Sequence, residues 1–272
     1  MNLMYCGDRN VKKGIFLSLS SIIKRNKRRL NVYILTASID NHIKIENDFK
    51  EFIENYIKKV NSESVVYLID LSREFKSYLP LANMDTRFTP LCMLRLFSDK
   101  VTEIPDKILY LDTDVMCLKD LSSLYETDIS DCEICGVADR YGKWFFGNVL
   151  THNYLNSGVL LMNMKRIREN SLFEKCRKMC QEKKMLMPDQ SALNKLAKKK
   201  KVSHKYNEQW RIRKSTVLKH FTTFFEFRPF FKAITIKPWD IDKVHRKLKI
   251  YAFDVELNEY IKRKEIIEGE QI

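Results

Sequence analysis

"DKILYLDTDVMCLKDL", residues Asp106 to Leu121, sets four apolar residues, Ile108 to Leu111, directly before two carboxylates one residue apart. An unbroken apolar run of this length reads as a strand covered on both faces, as in parallel sheets flanked by helices. Asp112 and Asp114 then fall where the strand ends, and open sheets of this class bind ligands outside the carboxyl ends of their strands. Two carboxylates that close repel unless something positive lies between them. The stretch therefore predicts a sheet type and a cationic ligand together.

Upstream the same grammar repeats. Leu3 to Cys6 is a short apolar run stopping at Gly7-Asp8, and Asn31 to Ala37 and Ser64 to Leu71 read as further buried strands. Between them, Ile15, Phe16, Leu19, Ile22 and Ile23 form one helical stripe, and Phe49, Phe52, Ile53, Tyr56, Ile57 and Val60 a second. Thr89-Pro90 has the form of an N-cap with proline at the first helical position, opening a helix to about Phe97. The order β-α-β-α-β-α-β predicts an α/β fold with a Rossmann-like, mostly parallel central sheet flanked by helices. Downstream come strands at about Cys132 to Ala138 and Ser157 to Asn163, and a helix from about Lys165 to Lys184. A shorter helix opens at Pro188, and Thr216 to Phe221 reads as the last strand. No linker composition separates the halves on either side of about residue 120, so they are expected to share one core.

A hydrophobic content of 44% describes a globular chain and excludes disorder. No apolar stretch approaches the roughly 20 residues of a membrane span. The N-terminal residues lack a charged region followed by a long apolar one, which predicts no secretory signal and a cytoplasmic location. Seven scattered cysteines fit reduced, buried thiols better than a disulfide framework. Cys132 with Cys135, and Cys176 with Cys180, raise zinc; the first pair sits on a strand, where residues three apart face opposite sides, and that reading is set aside. The net charge is +14, and from Lys195 to Lys219 ten Lys or Arg face one acidic residue, Glu208. Such a run is ordinarily a solvated face, but it also attracts phosphates, anionic lipid or nucleic acid.

Carboxylates spaced i, i+2 suit Mg²⁺ or Mn²⁺, which take oxygen ligands and leave positions for substrate phosphates. Mn²⁺ also accepts imidazole, and His220, at the end of its strand, is the best placed of the five histidines. The bland readings are a loop turn for Asp112-Thr113-Asp114 and a satisfied core histidine. A rival enzyme is a haloacid dehalogenase-like phosphatase, with Asp112 as nucleophile and Asp114 as general acid. It lacks a later acidic pair and carries the motif too far along the chain.

The ordered set of motifs resembles glycosyltransferase family 8, which includes bacterial lipopolysaccharide galactosyl- and glucosyltransferases. The residues that carry the resemblance are "MYCGDRN" from Met4, "RFTPLCMLRLF" from Arg87, "ILYLDTDVMCLKDLSSLY" from Ile108, "YLNSGVLLMNMKRIR" from Tyr154, "MPDQSALN" from Met187, and "KHF" with "IKPW" up to Trp239. The resemblance implies one GT-A domain over residues 1–240, with a nucleotide-binding half to about residue 120, an acceptor-side half beyond it, and 241–272 as a C-terminal extension. It implies a retaining transfer of glucose or galactose from a UDP-sugar donor to an oligosaccharide or lipid-linked glycan. It further implies that Asp8 and Asn10 touch the uridine, that Arg95 steers nucleotide and sugar, and that Asp112, Asp114 and His220 hold Mn²⁺ or Mg²⁺, with Thr113 in the same cofactor-binding loop. Asp139, Asn156 and Asp189 would bond sugar hydroxyls, Gln190 would lie near the anomeric carbon, and Lys237 would meet the diphosphate.

This chain departs from the family pattern in places. Val11 stands where many members carry an aromatic, Met93 replaces a frequent Tyr, and "TTFFEFRPFFKAIT" lengthens the segment between His220 and Lys237, making Arg228 an alternative phosphate contact. Of the bland readings, core packing covers Val159 to Met162 and Trp239, and only Asn156 of its block escapes it. A non-enzymatic binder of nucleic acid or anionic membrane, using Lys198 to Lys201, leaves the acidic pair unexplained; no nucleic-acid partner is expected. The basic face and Phe221 to Phe231 predict peripheral contact with the inner face of an anionic membrane.

Overall fold

The computed structural model describes residues 1–84, 89–142, 153–226 and 232–269. The central sheet is built from β1 (Asn2–Cys6), β2 (Asn31–Thr36), β3 (Val65–Asp70), β4 (Lys107–Leu111), β6 (Ile134–Ala138), β7 (Leu155–Asn163) and β8 (Lys199–Lys201), in spatial order β3-β2-β1-β4-β7-β6-β8. Six of these run one way and β7 alone is reversed. The mostly parallel sheet expected from the apolar runs is therefore present. Alternation along each strand feeds two cores: Leu3, Tyr5, Leu109 and Leu111 face one layer, and Met4, Cys6, Ile108 and Tyr110 the other.

The chain leaves β1 outward to β2 and β3, then returns to β4 on the other side of β1. That reversal is a topological switch point, and it opens a crevice at the carboxyl ends of β1 and β4, where Asp8 and Asp112 follow. A short strand β5 (Val115–Cys117) continues from the acidic turn and pairs antiparallel with β9 (Leu218–His220), placing Val115 opposite His220.

Several local expectations change in the structure. The segment after Thr89 winds as a tight 3₁₀ helix, Pro90–Lys100, and Thr89 makes no side-chain cap. The helix expected over Lys165 to Lys184 is two helices, Met164–Glu169 and Leu172–Glu182, broken at Ser171, whose φ of 50° is left-handed. The strand at Leu218–His220 is not the last, because β10 (Phe224–Glu226) and β11 (Lys232–Ile234) follow as a hairpin within the lengthened segment. The lysines of β8 form the sheet's edge; Lys199 Nζ donates to Asn194 O at 2.6 Å and Lys200 Nζ to Asp128 O at 2.8 Å. Charge on an edge strand blocks pairing with another chain, so this part of the basic run has a structural use.

Helix α1 (Lys12–Arg25) was legible as a one-sided stripe, yet it is buried from Gly14 to Ile23 on nearly every side. The second cover comes from residues 241–269. Phe253, Leu257, Tyr260 and Ile267 join the same core as Ile15 and Leu19, and the buried Glu256 pairs with Arg25 and Lys24. Phe253 also packs on Phe221, the neighbour of His220, with ring centroids 6.0 Å apart. Phe253→Ala should therefore cost about 3–5 kcal/mol. A thermal melt should show it, at roughly 2–4 °C per kcal/mol for a chain of this size.

Candidate active site

β4 delivers Asp112 to the crevice, and the backbone turns at once, with Val115 N donating to Asp112 O at 3.1 Å. Gly14 makes this turn possible: a Cβ there would lie 2.6 Å from Thr113 O and 2.9 Å from the Trp239 ring, so α1 packs flush on both. Trp239 is thus a packing residue. The β5–β9 ladder then sets His220 beside the acids, with Nε2 3.1 Å from Asp114 Oδ1 and 3.6 Å from Asp112 Oδ2. The ligand atoms of Asp112, Asp114 and His220 all lie within 4.8 Å of one another, among the described residues a set able to hold one ion. Two carboxylates and one imidazole suit a hard or borderline divalent cation.

The repulsion between the acids is answered from two directions. Arg95, buried on the 3₁₀ helix, donates from Nη2 to Asp112 Oδ1 at 3.0 Å and from Nη1 to Ser157 O at 2.6 Å. Its Nε lies 3.3 Å from Asp189 Oδ2, and its guanidinium lies over the Tyr110 ring at 3.9 Å. Tyr110 OH also donates to Asp112 Oδ1 at 2.7 Å. From the other side Lys237 pairs directly with Asp114. Burial alone would raise the Asp114 carboxyl, but Lys237 and His220 outweigh it and hold the group well below the usual carboxylate range. Burial is the larger effect at Asp189, whose carboxyl is raised, with Arg95 opposing and Asp112 adding to the rise. With Oδ1 of Asp112 accepting from both Arg95 and Tyr110, it is badly disposed as a phosphatase nucleophile.

The reversed direction of β7 brings its beginning, not its end, to the crevice. Asp112 N donates to Gly158 O at 2.8 Å, and a Cβ on Gly158 would stand 2.1 Å from His220 Cε1 and 2.7 Å from Asp112 Oδ2. Gly158 is thus the residue that lets His220 and Asp112 approach, and only its place in "NSG" hints at this. Asn156 Nδ2 donates to Asp139 Oδ2 at 2.9 Å, and Gln190 Nε2 to the same oxygen at 3.2 Å. Asp139 Oδ1 accepts from Tyr141 N and Gly142 N at 2.9 and 2.7 Å. Gln190 Oε1 is turned to Ser157, accepting from its N at 2.9 Å and its Oγ at 3.2 Å.

Asp8 and Asn10 sit beyond β1, at the other lip. Asp8 Oδ1 accepts from Asn10 N and Oδ2 from Asn10 Nδ2, both at 3.0 Å, and His42 Nδ1 lies 2.6 Å from Oδ2. His42 carried no signal in the sequence, nor did Asn207, a fully buried neighbour of His220. Arg228 and Arg87 lie outside the described residues.

Comparison with known proteins agrees with this geometry. The sequence matches the Glycosyl transferase family 8 profile over residues 2–241, and the chain belongs to that family. Among curated relatives it is 26% identical to a lipopolysaccharide 1,3-galactosyltransferase of Salmonella typhimurium over 227 residues, covering 78% of this chain and 64% of that one. It is 24% identical to a lipopolysaccharide 1,2-glucosyltransferase of Escherichia coli K12 over 285 residues, covering 94% and 78%. The chain spans between about half and two thirds of the length of the first relatives it matches. The galactosyltransferase LgtC, solved with donor and acceptor sugar analogs, superposes with a TM-score of 0.70 at 17% identity, covering 100% of this chain and 97% of that one. GlyE of Streptococcus pneumoniae gives 0.64 at 18% identity, covering 97% and 64%. The fold is GT-A.

Gly158→Ala should displace His220 or Asp112, costing about 1–3 kcal/mol as an overpacked site does. It should weaken divalent-cation binding at the Asp112–Asp114–His220 cluster in a direct titration, whereas Gly136→Ala, which meets Leu160 Cδ2 at 3.0 Å in the core, should affect only the melt. The depressed Asp114 group contributes stability above its unfolded pKa of about 3.9, lost as pH falls through the folded value. Lys237→Met, which removes the main opposing charge, should therefore move the acid-unfolding midpoint to higher pH by circular dichroism.

Proposed function

We propose that this chain is a retaining hexosyltransferase that moves glucose or galactose from a UDP-sugar to an oligosaccharide or lipid-linked glycan. The convergence of Asp112, Asp114 and His220 at the switch-point crevice carries the reading. These three would hold Mn²⁺ or Mg²⁺, whose charge would offset that developing on the departing diphosphate. Asp8 and Asn10, at the adjacent strand end, are the residues for the uridine. Lys237, about a third exposed, turns on this reading from Asp114 to a diphosphate oxygen.

The sugar would lie between the Asp189 and Asp139 sides of the crevice. Asp189 Oδ2 is buried without a hydrogen bond among the described residues, and is suited to accept from a sugar hydroxyl. No carboxylate there is disposed as a nucleophile: Asp139 already accepts four hydrogen bonds, and Asp189 is raised and paired with Arg95. The Gln190 oxygen reaches an anomeric carbon only by leaving Ser157. Front-face substitution follows. The C–O bond to UDP breaks on the face where the acceptor oxygen bonds, and the acceptor proton passes to the departing phosphate oxygen.

A panel of UDP-sugars should be hydrolysed slowly in Mn²⁺, with UDP-glucose or UDP-galactose preferred, and chelation or Asp114→Ala should abolish turnover. Turnover indifferent to both would overturn the metal reading. A glycosyl adduct on Asp189 or Gln190 in intact-protein mass spectra would overturn the front-face route.

Peripheral contact with an anionic membrane at the inner leaflet is assigned on this reading to the C-terminal segment; of the stretch Phe221 to Phe231, residues 227–231 lie outside the described ones. Phe221 is buried, and Phe224 and Phe225 pack edge-on against Trp210 and Tyr141. Tyr251, Val255, Ile261 and Ile266 are more than half exposed, in a stretch that also carries Arg246, Lys247, Lys249, Lys262 and Lys264. Among the described residues no helix is long and apolar enough to cross a membrane. Liposome flotation should rise with anionic lipid and fall in Lys247→Gln/Lys249→Gln; flotation independent of lipid charge would contradict this.

A further inference from the structure

A chain of side-chain hydrogen bonds runs from the sugar side of the crevice to the back of His220, and its polarity can be read bond by bond. Gly158 N–H, a backbone donor with no alternative orientation, points at Asn156 Oδ1 at 3.0 Å. The other end of the same amide, Nδ2, meets the Asp139 carboxylate, which accepts and does not donate. Both neighbours fix Asn156 in the same orientation, oxygen toward Gly158. The Asn207 amide approaches that oxygen at 2.9 Å and must present its NH₂ group. Its own oxygen is left facing His220 Nδ1 at 3.1 Å, and only an N–H at Nδ1 satisfies that contact.

We infer that Asn207 is a positioning residue which, held by Asn156 and through it by Gly158 and Asp139, fixes His220 with its proton on Nδ1 and its Nε2 lone pair aimed between Asp112 and Asp114. Nothing in the local sequence "KYNEQW" announces this, since Asn207 acts on residues 13 and 51 positions away. Its burial, about 1% exposed, leaves the amide no solvent to bond in place of these partners. The alternative tautomer would put an acceptor at Nδ1 against the Asn207 oxygen and a proton where a cation would be bound. Imidazole ligands are generally held in this way by an acceptor on their other nitrogen. The chain also ties the sugar-side residues to the metal side: an altered Asp139 or Asn156 acts on His220 without touching it. Lys219 completes the mounting from the backbone, donating to His220 O at 3.0 Å and Trp210 O at 2.8 Å.

The inference rests on the proposed metal site, and the test separates the two. Nitrogen-15 NMR of the unsubstituted full chain in Mg²⁺, which displaces any Nε2 proton held by Asp114 Oδ1 3.1 Å away, should show a protonated, pyrrole-like Nδ1 and an unprotonated Nε2. A dominant Nε2–H form overturns the inference and needs no variant. Mn²⁺ affinity, followed by the EPR signal of the free ion, should fall about 10–100-fold in Asn207→Leu. Asn207→Asp, which keeps an oxygen opposite Nδ1 but loses the donor to Asn156 Oδ1, should restore only part of that loss. Mn²⁺ binding in Asn207→Leu equal to that of the parent overturns the inference while leaving the metal site standing. Failure of the unsubstituted chain to bind Mn²⁺ overturns the metal site itself.

Discussion

Everything at the crevice depends on holding Asp112 and Asp114 together against their repulsion. Arg95 is the fixed part of the answer: it is buried, stacked on Tyr110, bonded to Asp112 and to the Ser157 and Cys92 carbonyls, and paired with Asp189. Lys237 is the accessible part, on the opposite side and about a third exposed. The division ties Asp112 to a buried guanidinium and Asp114 to a partner nearer the solvent. Desolvation opposes the ionised form of Asp114, and Lys237 and His220 reverse that effect.

The sheet supplies the geometry. A uniformly parallel sheet would bring only strand ends to the crevice; the single reversed strand β7 brings a strand beginning, with Asn156, Ser157 and Gly158 in immediate succession. Those three contact Asp139, Gln190 and Asp112 respectively, through two side chains and one backbone carbonyl. The close approach at Gly158 is steric as much as polar, because the space a Cβ would fill is taken by the His220 imidazole. The C-terminal helices extend the same logic outward by covering α1 and backing Phe221.

Much of this was legible in the sequence. Continuous apolar strands, the switch from strand to acidic turn, and the proline opening the helix at Pro188 are short-range signals whose cause lies within a few residues. The candidate residues Asp112, Asp114, His220, Arg95, Asp139, Asn156, Asp189, Gln190 and Lys237 are brought into one bonded neighbourhood, with Asp8 and Asn10 just beyond the end of the next strand. Hidden were the roles of Gly158, Asn207 and His42, the break at Ser171, and the burial of α1 on both sides. A glycine in a strand, an asparagine in a loop and an amphipathic stripe look the same whether or not a distant element closes on them.

The order of apolar runs and turns determined by itself that a doubly covered, mostly parallel sheet would form with two acids at its carboxyl edge, because burial of a strand is written in its own side chains. Which charges neutralise those acids, which amide orients the histidine, and which residue must be glycine were decided only by tertiary structure. Those are contacts between residues 13 to 123 positions apart, and no local pattern encodes the distance between them.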